Sequence, residues 1–456
     1  MPLCRPNGQS PVNQTPSRPL QPPDPPSPVW HPFTQHGLGQ PVIEIVSTQG
    51  AYLIARDGRR ILDGISSWWV TTHGHRHPLI TNAIRNATDT LDQVIFAGFT
   101  HEPAERLATA LIALTPKEPA RNQPLAHVFY SDSGSTAVEV GIKMALGHWR
   151  NRGQQKRTRI LALEHAYHGD TVGTMSAGAR GVFNAPYQTL LFDVTRIPFP
   201  DDNRLQSTFD ALDTACRAGD AAAFLFEPLI LGAGGMLIYP AEMLAEMARI
   251  CRANDVLMIA DEVMTGWGRT GTMWACEKTG IAPDILCTGK GLTGGSLPLA
   301  ATLATAEIFE SHRSADRSQM LFHSSSFTAN PICCAAALAN IEVWQTEPVM
   351  ARIAALASNQ VTALDQFNGD RRFSGRRQCG TIAALDLTTG TGGYMASVAP
   401  QLMTFFLERN VLLRPLGNTI YLMPPYCTTA EDLARVYAAI DEAADRFGPP
   451  VGRAQT

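Results

Sequence analysis

The sequence predicts an α/β protein with a largely parallel sheet and a second, smaller α+β domain. Between residues 126 and 289, apolar β-type runs alternate with longer helical patterns, which is typical of strand–helix–strand units. The β-type runs are apolar throughout rather than at every second residue, which indicates strands covered by helices on both faces. Short β-like runs early in the chain, and a helix, strand, helix pattern at its end, predict that the smaller domain joins the two chain ends.

The elements follow in order along the chain. Residues 1–28 are rich in proline and predict a disordered tail, and residues 40–70 predict a hairpin with its turn at Asp57-Gly58. The β-type runs are AHVFYS (126–131), RILALE (159–164), AAFLFEP (222–228), VLMIAD (256–261) and DILCTG (284–289), and the helical runs include 136–149 and 241–254. The predicted domains are a small one from 29–80 and 341–456, with a Gly-rich loop at 390–393, and a large one from 81–340.

Composition excludes several classes of protein. The chain has 456 residues with 37 basic and 41 acidic side chains, and a nucleic-acid-binding protein would need a basic surface. No run of about 20 apolar residues predicts a membrane span. The nine cysteines form no CxxC pair and a chain this long needs no disulfides, so we expect a reducing compartment, the cytoplasm. His73, His75 and His77 lack a fourth ligand nearby, so we expect a loop there and no metal site.

A Ser- and Gly-rich turn follows the first β-type run, in VFYSDSGSTAVE (128–139). Gly134 and Ser135 would place backbone N–H groups and a hydroxyl at the start of a helix, where the helix dipole favours a phosphate. An ordinary helix cap, with Ser135 as the capping residue, explains the same residues. The turn by itself leaves phosphate binding and capping open.

Two later β-type runs each end near a residue suited to catalysis. Asp261 closes VLMIAD at a sheet edge where ligands bind, and could hold a pyridine nitrogen protonated, although a helix N-cap explains it equally well. Lys290 follows DILCTG in a Gly-rich turn that is not a P-loop; it suits a Schiff-base nucleophile, with a solvated loop lysine as the alternative. Together with the phosphate turn, the two form the set that pyridoxal phosphate (PLP) requires, and HSSSFTANP (323–331) adds a second hydroxyl-rich turn.

Longer motifs resemble those of the class III, fold-type I PLP-dependent aminotransferases. They run from WHPFTQ (30–35) to about residue 445 and include DGISSWW (63–69), HGHRHP (73–78), SDSGSTAVEV (131–140), AYHGDT (166–171), EPLILGAGGM (227–236), ADEVMTGWGRTG (260–271), ACEKTGIAPDILCTGKGLTGG (275–295), ANPICCAAA (329–337) and RPLGNTIYLMPPY (414–426). The paired tryptophans, the WHP start and the IYLMPPY tail resemble more narrowly the branch that acts in biotin synthesis. The resemblance implies a large domain with a mostly parallel, seven-stranded sheet.

The resemblance also implies cofactor roles for particular residues. Lys290 matches the Schiff-base lysine, which also moves protons, and Asp261 matches the partner of the pyridine nitrogen. Tyr167, in YHGD, is similar to the tyrosine that stacks near the PLP ring and the substrate. Two pairs match the family's phosphate contacts: Gly134 with Ser135 and, from the other subunit, Ser325 with Ser326. A homodimer with active sites at its interface is therefore implied.

Substrate roles follow from the same resemblance. Trp68 and Ser324 match positions in the wall of the substrate pocket, and Arg414 matches the arginine that binds a substrate carboxylate. Arg269 is a further candidate for donor binding. In the implied reaction, S-adenosylmethionine leaves its amino group on the cofactor as pyridoxamine phosphate, and 8-amino-7-oxononanoate takes it up to become 7,8-diaminononanoate.

The sequence departs from the family's pattern at three places. Phe33 stands where the family often has Tyr, Leu416 stands where an aromatic residue often follows the Arg-Pro pair, and Ser325-Ser326 replaces a common Pro-Thr. The first two bear on the donor pocket, so lysine remains an alternative donor. The motifs also leave open a class III aminotransferase for ω-amino acids, an aminomutase and a non-catalytic PLP-binding protein.

Overall fold

The computed structural model describes residues 27–39, 42–119, 121, 123–201, 204–389 and 396–450. Most of the proline-rich tail predicted at 1–28 lies outside the described residues, as does the Gly-rich loop predicted at 390–393. Within the described ranges, no helix combines the length and the apolar character that crossing a membrane requires.

Strands and helices alternate through the middle of the chain, as the sequence predicts. The strands are β1 (Ile45–Gln49), β2 (Tyr52–Ala55), β3 (Arg60–Asp63), β4 (Leu125–Ser131), β5 (Arg159–Leu163), β6 (Thr195–Ile197), β7 (Ala221–Phe226), β8 (Ile230–Leu231), β9 (Leu237–Ile238), β10 (Leu257–Asp261), β11 (Ile285–Thr288), β12 (Ala300–Thr305), β13 (Phe373–Cys379), β14 (Ile382–Leu387), β15 (Val411–Leu412) and β16 (Thr419–Leu422). The α-helices are α1 (Ser66–Trp69, one irregular turn), α2 (Pro78–Thr88), α3 (Glu102–Leu114), α4 (Gly134–Asn151), α5 (Val172–Ala177), α6 (Leu205–Arg217), α7 (Ala241–Ala253), α8 (Ala306–His312), α9 (Pro331–Thr346), α10 (Val349–Asp365), α11 (Val398–Glu408) and α12 (Ala430–Phe447).

A seven-stranded sheet forms the centre of the fold, in the order β4-β12-β11-β10-β7-β5-β6. Strands β11, β10, β7, β5 and β6 pair with one another in parallel. Strand β12 pairs antiparallel with both β11 and β4, so β4 points the same way as the parallel strands. The predicted mostly parallel, seven-stranded sheet is therefore confirmed, and the carboxyl ends of all its strands except β12 meet at one edge.

Helices cover both faces of this sheet. Along β10, Ile259 packs into the apolar cluster that contains buried residues of α4, whereas Met258 and Ala260 pack into the cluster that contains buried residues of α7. All three side chains are fully buried. Because alternate residues are buried in two different clusters, the run is apolar at every position. Burial of each large apolar side chain contributes about 1.5–3 kcal/mol to the stability of the fold.

The two ends of the chain share a second sheet. Strands β1, β2 and β3 form an antiparallel meander, with the predicted turn at Asp57-Gly58 between β2 and β3. The C-terminal strand β15 adds to β3 in parallel, where Val411 pairs with Leu62. A small domain built from residues 29–80 and 341–456 is our interpretation of this pairing.

A tight turn joins β13 to β14 and docks on the loop that follows β10. The backbone N–H of Thr381 donates to the carbonyl of Arg269 at 2.9 Å. Gly380 has a φ of 58°, and a Cβ added there would lie 2.2 Å from the carbonyl carbon of Thr270. Glycine therefore meets both requirements of this contact, a left-handed backbone and a close approach between two main chains.

We expect Gly380→Ala to lower the free energy of unfolding by roughly 2 kcal/mol more than Gly369→Ala, because an extra methyl group has no space against a main chain. Gly369 is a matched control: its φ of 75° carries similar backbone strain, but nothing lies within 4 Å of an added Cβ. Urea unfolding of the two variants measures the difference. Equal losses would show that the β13–β14 turn does not dock tightly.

Candidate active site

One cavity of about 330 Å³ opens at the edge where the carboxyl ends of the strands meet. Residues after β4, β5, β7, β10 and β11 supply its floor, because parallel strands deliver the residues that follow them to the same edge. The sequence-predicted residues that line it are Trp68, Gly134, Ser135, Tyr167, Asp261, Lys290 and Arg414. Phe33 and Leu416, which depart from the family's pattern, line it as well.

The N-terminus of α4 faces this cavity. The helix begins at Gly134, and its cap is Ser133, whose hydroxyl accepts from the backbone N–H of Thr136 at 3.2 Å. The alternative with Ser135 as the cap is therefore wrong. Since the first N–H groups of a helix have no partner within it, Gly134 and Ser135 bring donors and the positive end of the helix dipole to the cavity. A Cβ on Gly134 would lie 2.5 Å from Val263 Cγ1, so only glycine lets α4 approach the turn after Asp261 this closely.

Asp261 is held by a histidine that the sequence analysis did not single out. His168 Nδ1 lies 2.8 Å from Asp261 Oδ2, and both side chains are buried. The other carboxylate oxygen, Oδ1, accepts from the backbone N–H of Val263 at 3.1 Å. His168 Nε2 is buried and has no partner among the described residues. The pair fixes a carboxylate at the cavity floor, ready to bind a protonated ring nitrogen.

Lys290 lines the same cavity as this pair, at the start of a short 3-10 turn (Lys290–Thr293). Its φ of 40° is unusual for a residue with a side chain, and its Nζ lies 4.5 Å from the centre of the Trp69 ring. Burial lowers the pKa of Lys290 to about 8, while Asp261 and Glu227 oppose that fall. A lysine with this pKa has a substantial neutral, nucleophilic fraction near neutral pH.

The two tryptophans sit on a strained turn. Ser66, Ser67 and Trp69 all have positive φ values, of 53°, 61° and 68°. Asp63 accepts from the backbone N–H of Ser67 at 2.8 Å, and Trp69 Nε1 donates to the hydroxyl of Tyr421 at 2.9 Å. These contacts turn both indole rings toward the cavity, at the cost of backbone strain that the surrounding packing must offset.

Arg269 does not reach the cavity, contrary to its suggested role in donor binding. Its side chain is 1% exposed, and its guanidinium donates to the carbonyls of Trp69, Thr71 and Pro424. Burial lowers the pKa of Arg269. Arg269 therefore supports the tryptophan turn from behind and contacts no cavity space.

Arg414 lies at the mouth of the cavity. Its guanidinium stacks on Trp68, 5.0 Å from the ring centre, and its Nη2 donates to the carbonyl of Phe33 at 3.1 Å. The Phe33 ring lies between Trp68 and Phe183, with ring centres 5.7 and 5.9 Å away. An arginine over a broad aromatic wall suits a substrate with a carboxylate and a bulky apolar part.

Glu227 is an acidic residue of the cavity lining to which the sequence analysis assigned no role. It follows β7, lines the cavity and is buried, and its two oxygens accept from the backbone N–H groups of Tyr167 and Gly232. Both His168 and Glu227 lie inside motifs quoted for the resemblance, AYHGDT and EPLILGAGGM. Glu227 directly follows the buried strand β7, and this position could have identified it from the sequence, just as the end of a buried strand identified Asp261.

The predicted residues Ser324, Ser325 and Ser326 do not line the cavity of their own chain. Ser324 and Ser326 are exposed, and the Ser325 hydroxyl donates to Asp132. The three histidines of the 73–78 stretch face three different partners: His73 faces Asn340, His75 faces Asp63 and His77 faces Glu347.

Known proteins resemble this chain over most of its length. The family model "Aminotransferase class-III" matches residues 33–444. A protein of Synechococcus elongatus named adenosylmethionine-8-amino-7-oxononanoate aminotransferase is 44% identical over 427 residues, which are 92% of this chain and 99% of that protein. A protein of the same name from Mycobacterium leprae is 36% identical over 431 residues, 92% and 95% of the two chains.

Two solved structures also superpose on this chain over most of its length. The adenosylmethionine-8-amino-7-oxononanoate aminotransferase of Methanocaldococcus jannaschii superposes with a TM-score of 0.87 at 33% identity, over 92% of this chain and 97% of that one. An amine transaminase from an uncultivated Pseudomonas species, solved in its PLP-bound (internal aldimine) form, superposes with a TM-score of 0.86 at 30% identity, over 92% and 99%. The chain therefore belongs to the class-III aminotransferase family.

Proposed function

We propose that this protein transfers the amino group of S-adenosylmethionine to 8-amino-7-oxononanoate, giving 7,8-diaminononanoate for biotin synthesis, as a cytoplasmic PLP-dependent homodimer. The observation that carries the proposal is that the Lys290 amine, the Asp261 carboxylate and the start of α4 all face one cavity. Relatives named for this reaction, at 33% to 44% identity, suggest the substrates.

The residues of the cavity fit PLP. The start of α4, at Gly134 and Ser135, suits the phosphate, and Asp261 suits the ring nitrogen. Tyr167 offers an aromatic face and Lys290 an amine for the aldehyde. PLP, when bound, supplies an electron sink that acidifies the hydrogen on the amino-bearing carbon.

Lys290 is the group that we expect to move the proton. Its amine is neutral above its pKa of about 8, so it accepts a proton from the substrate carbon and returns it to a neighbouring atom. Trp69 packs over the amine on one side. Asp261, pinned by His168 and Val263, keeps its charge at a fixed position while the proton moves.

Arg414 is the anchor that we assign to the carboxylate of either substrate. One N–H of its guanidinium is used by the Phe33 carbonyl, which leaves other donors for a carboxylate. With one fixed anchor, the two different molecules can lie against the same aromatic wall of Trp68 and Phe183. Phe33 supplies no hydroxyl to that wall, and for this reason lysine is kept as the alternative donor.

A second subunit would complete the site. The turn 324–326 is presented to solvent, and hydrogen bonds from Gln93 to Ser326 and from Asn330 to Asp92 tie it to the segment before α3. Exposed apolar side chains lie along both segments: Ile95, Phe99, Phe322 and Phe327. Such an apolar surface is typical of an interface, and across it Ser325 and Ser326 could reach the partner's phosphate.

Addition of S-adenosylmethionine to the PLP-loaded protein is expected to bleach its visible absorption, because transfer of the amino group turns PLP into pyridoxamine phosphate. Subsequent 8-amino-7-oxononanoate is expected to restore the colour, with 7,8-diaminononanoate detected by mass spectrometry. A parallel sample receives lysine, and Lys290→Ala protein is the control that should not respond. Bleaching by lysine alone would identify lysine as the amino donor. Absence of bleaching with either amine would contradict the proposed transamination.

Uptake of PLP by the apo-protein is expected to become faster as pH rises, with a midpoint near the Lys290 pKa of about 8. The reason is that only the neutral amine attacks the aldehyde, and burial has lowered this pKa from the ordinary value of 10.5. Stopped-flow absorbance at a series of pH values measures the midpoint. An uptake rate that keeps rising toward pH 10.5 would show that Lys290 is not buried as described.

Arg414→Lys is expected to lower kcat/KM for 8-amino-7-oxononanoate by roughly tenfold to a hundredfold, since lysine keeps the charge but loses the planar fork, and a hydrogen bond to a charged group contributes about 1.5–3 kcal/mol. Arg435→Lys, at an exposed position outside the cavity, is the control. Steady-state kinetics distinguish the two. An unchanged kcat/KM in the Arg414→Lys enzyme would show that Arg414 does not bind the substrate carboxylate.

A further inference from the structure

Glu227 occupies a position at the cavity floor that the proposed mechanism has not used. Its Oε1 accepts from the backbone N–H of Tyr167 at 3.0 Å, and its Oε2 accepts from the backbone N–H of Gly232 at 2.9 Å. Its own carbonyl accepts from the hydroxyl of Tyr239 at 2.7 Å. One side chain thus joins the loop after β5, which carries Tyr167 and His168, to the turn after β8.

No cation bonds directly to this carboxylate among the described residues, yet several titratable groups face it. Burial raises the pKa of Glu227 to about 7; Asp261 adds to the rise, while His168 and the two backbone donors oppose it. Burial lowers the pKa of Lys290 and the charge of Arg269 adds to that fall, whereas Asp261 and Glu227 oppose it. Burial raises the pKa of the Tyr167 and Tyr239 phenols, and Glu227 adds to the rise at each, although Asp170 contributes more than Glu227 at Tyr167.

A second buried glutamate provides a comparison within the same fold. Glu262 accepts from the backbone N–H groups of Ala275 and Cys276, at 3.1 and 2.9 Å, and from the hydroxyl of Thr265. Burial raises its pKa to about 7, as it does for Glu227. Glu262 does not line the cavity, however, and it does not contribute to the pKa shift of Lys290. The two residues share burial and bonding and differ in what they face.

We propose that Glu227 is a positioning residue for transamination: its carboxylate holds the Tyr167 loop and the Gly232 turn together and presents a second negative charge, beside Asp261, to Lys290. The inference rests on the proposed function, because it assigns Glu227 to the same site. The charge of Glu227 stabilises the ammonium form of Lys290 and so opposes the effect of burial. Glu262 has a structural role alone.

The sign of the effect follows from this arrangement. Glu227→Gln removes the negative charge, so the ammonium of Lys290 becomes less stable and its pKa falls further below 10.5. The neutral amine then forms at lower pH. We expect the midpoint of Lys290 reactivity to move down by roughly half to one pH unit, less than the roughly 1–3 units that a directly paired charge produces, because the Glu227 oxygens bond to Tyr167 and Gly232 rather than to Lys290. Glu262→Gln makes the same chemical change away from the cavity and should move the midpoint little.

The experiment compares wild type, Glu227→Gln, Glu227→Asp and Glu262→Gln. The rate at which trinitrobenzenesulfonate modifies Lys290 in the apo-proteins is followed by peptide mass spectrometry at a series of pH values. PLP uptake by each protein and the pH optimum of transamination are measured alongside. Glu227→Asp keeps a charge on a shorter side chain, so a smaller shift in the same direction is expected, and this variant is used if Glu227→Gln does not fold.

A downward shift in the Glu227 variants, with the Glu262→Gln midpoint unchanged, supports the proposal. Unshifted midpoints in the Glu227 variants, or an equal shift in Glu262→Gln, would overturn it. A wild-type protein that takes up no PLP would instead defeat the proposed function. The outcomes are separable because the labelling of Lys290 requires no cofactor.

Discussion

The shared direction of six of the seven strands in the large sheet determines where the residues of the site can lie. Strands β5, β7, β10 and β11 each end at the same edge; Asp261 is the last residue of β10, and Tyr167, Glu227 and Lys290 follow the ends of the other three. Helix α4 begins at the same edge, directly after β4. The chemical groups are far apart in the chain, and the parallel sheet is what brings them to one cavity.

Burial and charge are balanced at this edge. Desolvation alone would drive the proton off Lys290, and the two carboxylates of Asp261 and Glu227 limit that effect, leaving a pKa of about 8. Arg269, behind the cavity, donates to three main-chain carbonyls, and its buried positive charge adds to the fall in the pKa of Lys290. Hydrogen bonds hold the charged groups of Asp261, Glu227 and Arg269 at defined positions around Lys290, and fixed charges of this kind are what electrostatic catalysis requires.

The sequence predicted the parts of the fold and site that depend on local pattern. Unbroken apolar runs identified five of the seven strands of the large sheet, and the ends of two of these runs identified Asp261 and Lys290, whereas β6 and β12 were not predicted. His168 escaped notice because a histidine next to a tyrosine carries no signal until β5 and β10 are brought together by the fold. The motif around Arg269 does not show which way its side chain points, because that depends on carbonyls of the tryptophan turn and of Pro424, which are distant in the chain. The roles of Ser324 to Ser326 depend on a second subunit and stay predictions.

Transfer of an amino group from one molecule to another, in the cavity around Lys290 and Asp261, is the central feature of the proposed function. The most direct test supplies S-adenosylmethionine labelled with nitrogen-15 at its amino group, together with unlabelled 8-amino-7-oxononanoate, and analyses the product by mass spectrometry. We predict that the label appears in the new amino group of 7,8-diaminononanoate and that Lys290→Ala protein forms no labelled product. Product without the label, or labelled product from Lys290→Ala protein at the wild-type rate, would contradict it.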